Sequence, residues 1–184
     1  MVEFPIYTDR LVLRVLEKSD VDAHLRMFSI PSVVRYLYDE PLTPELAEEH
    51  LAKRFEPNPF VENNWMNLAV TLDDEYIGEI GVCQRSLVHK QCELGWVFMP
   101  DVAGHGYATE AAAAMRDFAF KELDAHRVAA HFDIRNEASA RVMQRLGMRF
   151  EAHLVENEFI KGEWTDEGIY AITRAEWEAL AQAE

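Results

Sequence analysis

Arg10–Val15 (Arg-Leu-Val-Leu-Arg-Val) sets an apolar, β-rich run between two arginines, a pattern that predicts a first strand. From Glu17 to Met27 the spacing turns helical, with Ser19 or Asp20 as cap. Thr43-Pro44-Glu45 opens a second helix running to about Phe55: a capping residue, a proline in the first turn, then an acid. Residues 56–64 form the most loop-like stretch. Trp65–Thr71, Tyr76–Arg85 and Cys92–Met99 read as strands joined by turns at Asp73-Asp74 and Ser86–Lys90, an antiparallel meander. After Pro100 the texture changes. A Gly104-His105-Gly106 loop precedes an alanine-rich helix over Ala108–Leu123. A strand follows over Arg127–Asp133, then a helix over Asn136–Leu146 that Gly147 stops. Met148–Phe159 and Gly168–Thr173 are the closing strands about a Lys161-Gly162 turn, and Arg174–Gln182 adds a short helix. The order β-α-α-β-β-β-α-β-α-β-β predicts an α/β (α+β) fold: a mixed, mostly antiparallel central sheet of about seven strands with helices on both faces.

Length and composition narrow the class. The 184 residues, 49% of them hydrophobic, suffice for one domain over 1–184 with its own core and no staples. No internal repeat or low-complexity tract interrupts them. No apolar run is long enough to span a bilayer, and Met1-Val2-Glu3-Phe4-Pro5 lacks the basic and apolar parts of a secretory signal, so a cytoplasmic protein without membrane contact is expected. Two cysteines, Cys83 and Cys92, are too few for a disulfide scaffold and read as reduced, buried thiols. A net charge of -15 argues against nucleic acid, which is bound by neutralising phosphates. It suits a cationic partner, although an acid excess also serves solubility. The seven histidines show no metal-ligand spacing, and no metal is expected.

The chemistry concentrates in Leu94–Glu110, where a strand runs into a glycine loop and straight into a helix. The first N–H groups of a helix lack internal partners and point outward at the positive end of its dipole. Gly104 and Gly106 carry no Cβ, Ala108 is nearly as small, and the Thr109 hydroxyl adds a donor, so a phosphate can approach the backbone closely. The dinucleotide pattern would need a third glycine inside a parallel βαβ unit, and the triphosphate loop a Gly-Lys-Ser/Thr ending; neither is present.

Ala103-Gly104-His105-Gly106-Tyr107-Ala108, followed by Thr109-Glu110-Ala111, resembles the acetyl-CoA pyrophosphate loop of the GNAT acetyltransferase superfamily, with Ala103 where the family usually has Gln or Arg. Asn136 through Leu146-Gly147-Met148 is similar to the family's later helix. Glu156 to Trp164, Tyr170-Ala171 and the opening Thr8–Arg14 look like its RimJ/RimL branch, which acetylates N-termini of ribosomal proteins and includes small-molecule enzymes. The resemblance implies a GNAT-like acyl-CoA N-acyltransferase fold and acetyl-CoA as co-substrate. It places the pyrophosphate on Gly104, His105, Gly106, Tyr107, Ala108 and Thr109. It places the pantetheine arm on the backbone of Val97, Phe98 and Met99 and on Asn136. An N–H near Val97 or Phe98 is then expected to face the thioester oxygen. By the same resemblance Glu158 is the expected base, and Ser139 is expected to donate a hydrogen bond to the departing thiolate; Glu93, on the strand leading to the loop, is the rival base. The tyrosine acid that many members carry seven residues after the Asn is here Met143. Glu110 needs only its favourable place in the first helical turn. The expected function is acetylation of a protein N-terminus of the ribosomal type; the alternatives are acetylation of a small amine (antibiotic, polyamine or amino acid) and non-catalytic sensing of acyl-CoA. A homodimer is compatible with the resemblance.

Overall fold

The structure, a computed structural model, describes residues 3–55, 58–180 and 182, so the first two residues of the 56–64 loop lie outside the described residues. Two strands, β1 (Ile6–Tyr7) and β2 (Val12–Val15), lead through a 3-10 turn at Lys18–Asp20 into α1 (Val21–Phe28), α2 (Pro31–Val34) and α3 (Pro44–Ala52). The meander follows as β3 (Trp65–Leu72), β4 (Glu75–Ser86) and β5 (Gln91–Phe98). Next come α4 (Tyr107–Lys121), β6 (Arg127–Asp133), α5 (Glu137–Arg145), β7 (Arg149–Ile160), β8 (Glu163–Thr173) and α6 (Arg174–Leu180). The expected helix and strand types all form. The sheet has eight strands rather than about seven, because β1 is two residues long and leaves no alternation to read. The strand β8 also starts five residues before the expected Gly168, since the hairpin about Lys161-Gly162 pairs along polar residues. Asp20 does not cap α1 with its side chain; its carboxylate accepts from the Glu17 N–H at 2.8 Å and from both Arg14 terminal nitrogens.

The strand order is β1-β2-β3-β4-β5-β6-β8-β7, and β5–β6 is its parallel neighbour pair. Alternation along β3 divides the core. Met66, Leu68 and Val70 face the layer of α4 and α5, packing with Leu94, Met115, Phe120 and Met143. Ala69 faces α1–α3 with Leu16, Met27, Phe28, Leu51 and Tyr76. Each fully buried large side chain contributes about 1.5–3 kcal/mol. Ala111, Ala112 and Ala119 are fully buried, which lets α4 lie close on the sheet.

One feature of the sheet shapes the rest. The strands β5 and β6 pair only from Gln91↔Arg127 to Glu93↔Ala129, whereas β4–β5 pairing continues to Gly78↔Phe98 and β6–β8 pairing to Asp133↔Glu167. Beyond Glu93 and Ala129 the two strands part into a fork. Large rings seated on glycines line it: a Cβ on Gly168 would lie 2.2 Å from the Phe132 ring, and one on Gly95 3.1 Å from the Trp65 indole.

Candidate functional site

Two connected cavities occupy the fork. A cavity of about 510 Å3 is walled by Leu94–Val97 of β5, Phe132 and Asp133 of β6, and Asn136, Ser139 and Met143 at α5, with Glu79 and Arg54 on the α1–α3 side. A groove of about 750 Å3 runs along Glu93, Asp133, Glu158, Asp166 and Glu167, with Arg85 and Arg127. Both are lined by Tyr36, Leu37, Trp65, His131, Phe132 and Asp133.

Of the expected residues, Val97, Asn136 and Ser139 meet in the smaller cavity. Asn136 caps α5: its Oδ1 accepts the Ser139 N–H at 3.1 Å. Met143, in place of a tyrosine, is buried and closes the cavity with a thioether. Phe98 and Met99 line neither cavity. Phe98 packs toward α4, and Met99 is buried under α1–α3 with its N–H donated to Ile77 O at 2.9 Å.

Gly104, His105 and Gly106 form the exposed turn before α4, with φ of +85° at Gly104 and +83° at Gly106. These left-handed conformations favour glycine. The space where a Gly104 Cβ would stand is open, and no side chain makes a capping hydrogen bond to the first N–H groups of α4 beyond Gly106. A tertiary clamp fixes the helix start. Glu110 accepts from the Thr8 hydroxyl at 2.6 Å, the Arg10 N–H at 2.9 Å and Arg10 Nε at 2.7 Å. Arg10 also donates to His105 O at 3.0 Å and covers the Tyr107 ring. Burial alone would raise the Glu110 pKa, but the bonds from Thr8 and Arg10 hold it below the usual carboxylate range. The His105 ring lies outward, stacked on Tyr107.

Glu93 and Glu158 come together in the larger groove, each already engaged. Glu93 pairs with Arg85 Nε at 2.7 Å, and Glu158 accepts from the Tyr38 hydroxyl. Burial and the facing Glu158 push the Tyr38 phenol well above its ordinary range, so it stays protonated. His131 stands where the fork opens, 2.9 Å from Glu167 and 4.0 Å from Glu93. Burial would raise Asp133, but the Arg135 guanidinium and N–H lower it.

The segment before α3 is strapped over this groove. Lys161 Nζ donates to Val34 O at 2.6 Å, Tyr36 OH to Arg135 O at 3.4 Å, and Tyr38 to Glu158. Sequence reasoning missed Tyr36, Tyr38, His131 and Glu79. The aromatic run Tyr36-Leu37-Tyr38 was a signal for the strap, and the lone carboxylate in Ile77-Gly78-Glu79-Ile80-Gly81 a signal for a buried charge. No group of metal-ligating side chains and no helix long and apolar enough to cross a membrane occurs among the described residues.

The chain is similar to known proteins. The profile of the Acetyltransferase (GNAT) domain matches residues 10–149. The uncharacterized N-acetyltransferase YnaD of Bacillus subtilis is 35% identical over 174 residues, 94% of this chain and 98% of that protein. A spermidine N(1)-acetyltransferase of Vibrio cholerae is 25% identical over 162 residues, covering 85% and 89%. The crystal structure of a GNAT-family acetyltransferase from Bacillus anthracis superimposes with a TM-score of 0.82 at 32% identity, covering 92% of this chain and 98% of that one.

Proposed function

The chain belongs to the GNAT acetyltransferase family and is an N-acetyltransferase, and from that premise we propose that its acceptor is a small cationic primary amine of the polyamine kind. When bound, acetyl-CoA supplies an acetyl group activated as a thioester. The residues present fit this co-substrate. The start of α4, without a side-chain capping bond and with its open glycine turn, suits a pyrophosphate, and the β5 edge beyond Glu93 has no strand partner on its β6 side. In this reading the backbone of Val97 faces the acyl group, one oxyanion donor being worth about 3 kcal/mol. Asn136 positions the arm, and the Ser139 hydroxyl donates to the departing sulfur.

The strap carries the choice of acceptor. A groove roofed by Val34–Tyr38 and lined by five carboxylates against two arginines suits a short cation better than an extended chain. Glu93 and Glu158 hold the ammonium groups, Glu158 with its free lone pairs oriented by Tyr38. The named activity of the Vibrio cholerae relative agrees with this class. The test is thiol release from acetyl-CoA against polyamines, aminoglycosides, amino acids and N-terminal peptides. Turnover with polyamines, with a KM that rises with salt, is expected. Turnover with peptides alone would move the acceptor to protein N-termini, and acetyl-CoA binding without turnover on any amine would favour a sensor.

A further inference from the structure

The smaller cavity is bordered by a carboxylate that none of the expected roles uses. Glu79 lies on β4 directly opposite Val97 of the fork, and its side chain is only 5% exposed. Oε1 accepts from the Tyr76 hydroxyl at 2.6 Å and meets His24 Nδ1 at 2.5 Å. Oε2 has a looser contact, Arg54 Nε at 3.4 Å. His24, fully buried on α1, reaches His50 Nδ1 of α3 through Nε2 at 2.7 Å, and His50 Nε2 reaches Asp39 Oδ1 at 3.3 Å. Side-chain exposure is 5% at Glu79 and 0% at His24, then rises to 15% at His50 and 44% at Asp39. The row therefore runs from the cavity wall to solvent.

The contacts Glu79–His24, His24–His50 and His50–Asp39 form one unbroken row, in which each ring can take a proton at one nitrogen and give one from the other. Arg54 Nη1 stands 3.4 Å from both ring nitrogens of His50. The groups facing this row are Tyr76 from β4, Arg54 beyond α3, the Asp20–Arg14 pair beside α1, and Lys161 of the β7–β8 turn toward Asp39. Asp39 is held below its usual range by the His50 bond, and burial with Glu79 keeps Tyr76 protonated.

We propose that Glu79 is a catalytic residue that takes the proton of the acceptor amine, and that His24, His50 and Asp39 relay a proton from it to solvent. The amine N–H bond breaks, its electron pair stays on nitrogen, and the proton goes to Glu79 Oε2. The Glu79 carboxyl passes a proton to His24 Nδ1 as His24 Nε2 passes one to His50 Nδ1 and His50 Nε2 gives one to water beside Asp39, which returns Glu79 to the carboxylate. One proton enters the row and one leaves, and no redox partner is needed. His24 and His50 are relay and positioning groups, because neither reaches the cavity.

The inference rests on the acetyltransferase reading but not on the acceptor class, since the assay uses whichever amine the panel identifies. Failure of the small-amine reading shows in the panel, and failure of the relay shows in the variants. Glu79→Gln is expected to lower kcat at least about 100-fold, to abolish the acidic limb of the kcat–pH profile, and to leave the KM for acetyl-CoA within twofold. His50→Gln is expected to lower kcat about tenfold and to be partly rescued by added imidazole, which a merely structural ring would not allow. If Glu79→Gln does not fold, His50→Gln and Tyr76→Phe decide through rescue and pH profile. Glu79→Gln retaining kcat and the acidic limb, or Glu158→Gln abolishing that limb while Glu79→Gln keeps it, overturns the proposal.

Discussion

Replacing Glu110 by Gln tests whether the start of α4 is fixed by tertiary contacts. The Thr8 hydroxyl and the Arg10 N–H both donate to Oε1, at 2.6 and 2.9 Å, while the Arg10 guanidinium takes Oε2 at 2.6 and 2.7 Å. Glutamine keeps an acceptor for the first two but removes their charge assistance, at about 0.5 kcal/mol each. At the second oxygen it turns an amide NH2 toward the guanidinium. Arg10 is 44% exposed, so that pair is worth no more than about 1 kcal/mol. The sum, about 2 kcal/mol, lowers Tm by roughly 4–8 °C for a chain of this size. The pH dependence carries a sign. The folded Glu110 pKa is depressed, so its stabilisation is complete above the unfolded value and is lost as pH falls through the folded one. Calorimetry from pH 7 downward is the assay: the wild type should converge on Glu110→Gln in acid. A variant that melts with the wild type at pH 7, or a gap that persists unchanged into acid, refutes the clamp.

The other predictions concern backbone and thiols. Gly106→Ala places a Cβ on a residue with φ of +83°, at a cost of about 1–2 kcal/mol; the turn shifts, and the KM for acetyl-CoA should rise several-fold in thiol-release kinetics while the acceptor KM stays put. Gly168→Ala would bring a Cβ within 2.2 Å of Phe132, so overpacking should cost about 1–3 kcal/mol in urea unfolding. Because Phe132 lines both cavities, the acceptor KM should change as well. Cys92 is pushed up to about 12 by burial and then by Cys83, which burial also raises; both thiols should resist a thiol reagent at pH 8 until the protein unfolds, and rapid native labelling would contradict their burial.

The strands that alternate cleanly and the alanine-rich helix were legible in the sequence because their signals are local. Two-residue β1 and four-residue α2 carry too few positions for any period. The glycine turn before α4 and the Asn136 cap were also readable, since each is a short-range backbone matter. The fork was not readable, because it depends on how far β5 and β6 pair, a fact spread over residues some 36 apart. The same holds for Tyr38 with Glu158, 120 positions apart, and for His24 with Glu79, 55 apart. Side chains that meet only through tertiary packing leave no spacing to count.

The short β5–β6 ladder also bears on how such a chain changes over generations. An unpaired strand edge recognises through amide and carbonyl groups, and those are the same whatever residue occupies the position. Trp96, Val97 and Phe98 can therefore be exchanged for other strand-forming residues without altering the row of main-chain groups beyond Glu93. The groove on the other side of the fork is built from side chains such as Tyr38, His131 and Glu167. One side of the fork thus presents main-chain groups and the other side chains. On the proposed function, that division lets a lineage exchange acceptors one residue at a time while the edge that receives the common reactant keeps its groups.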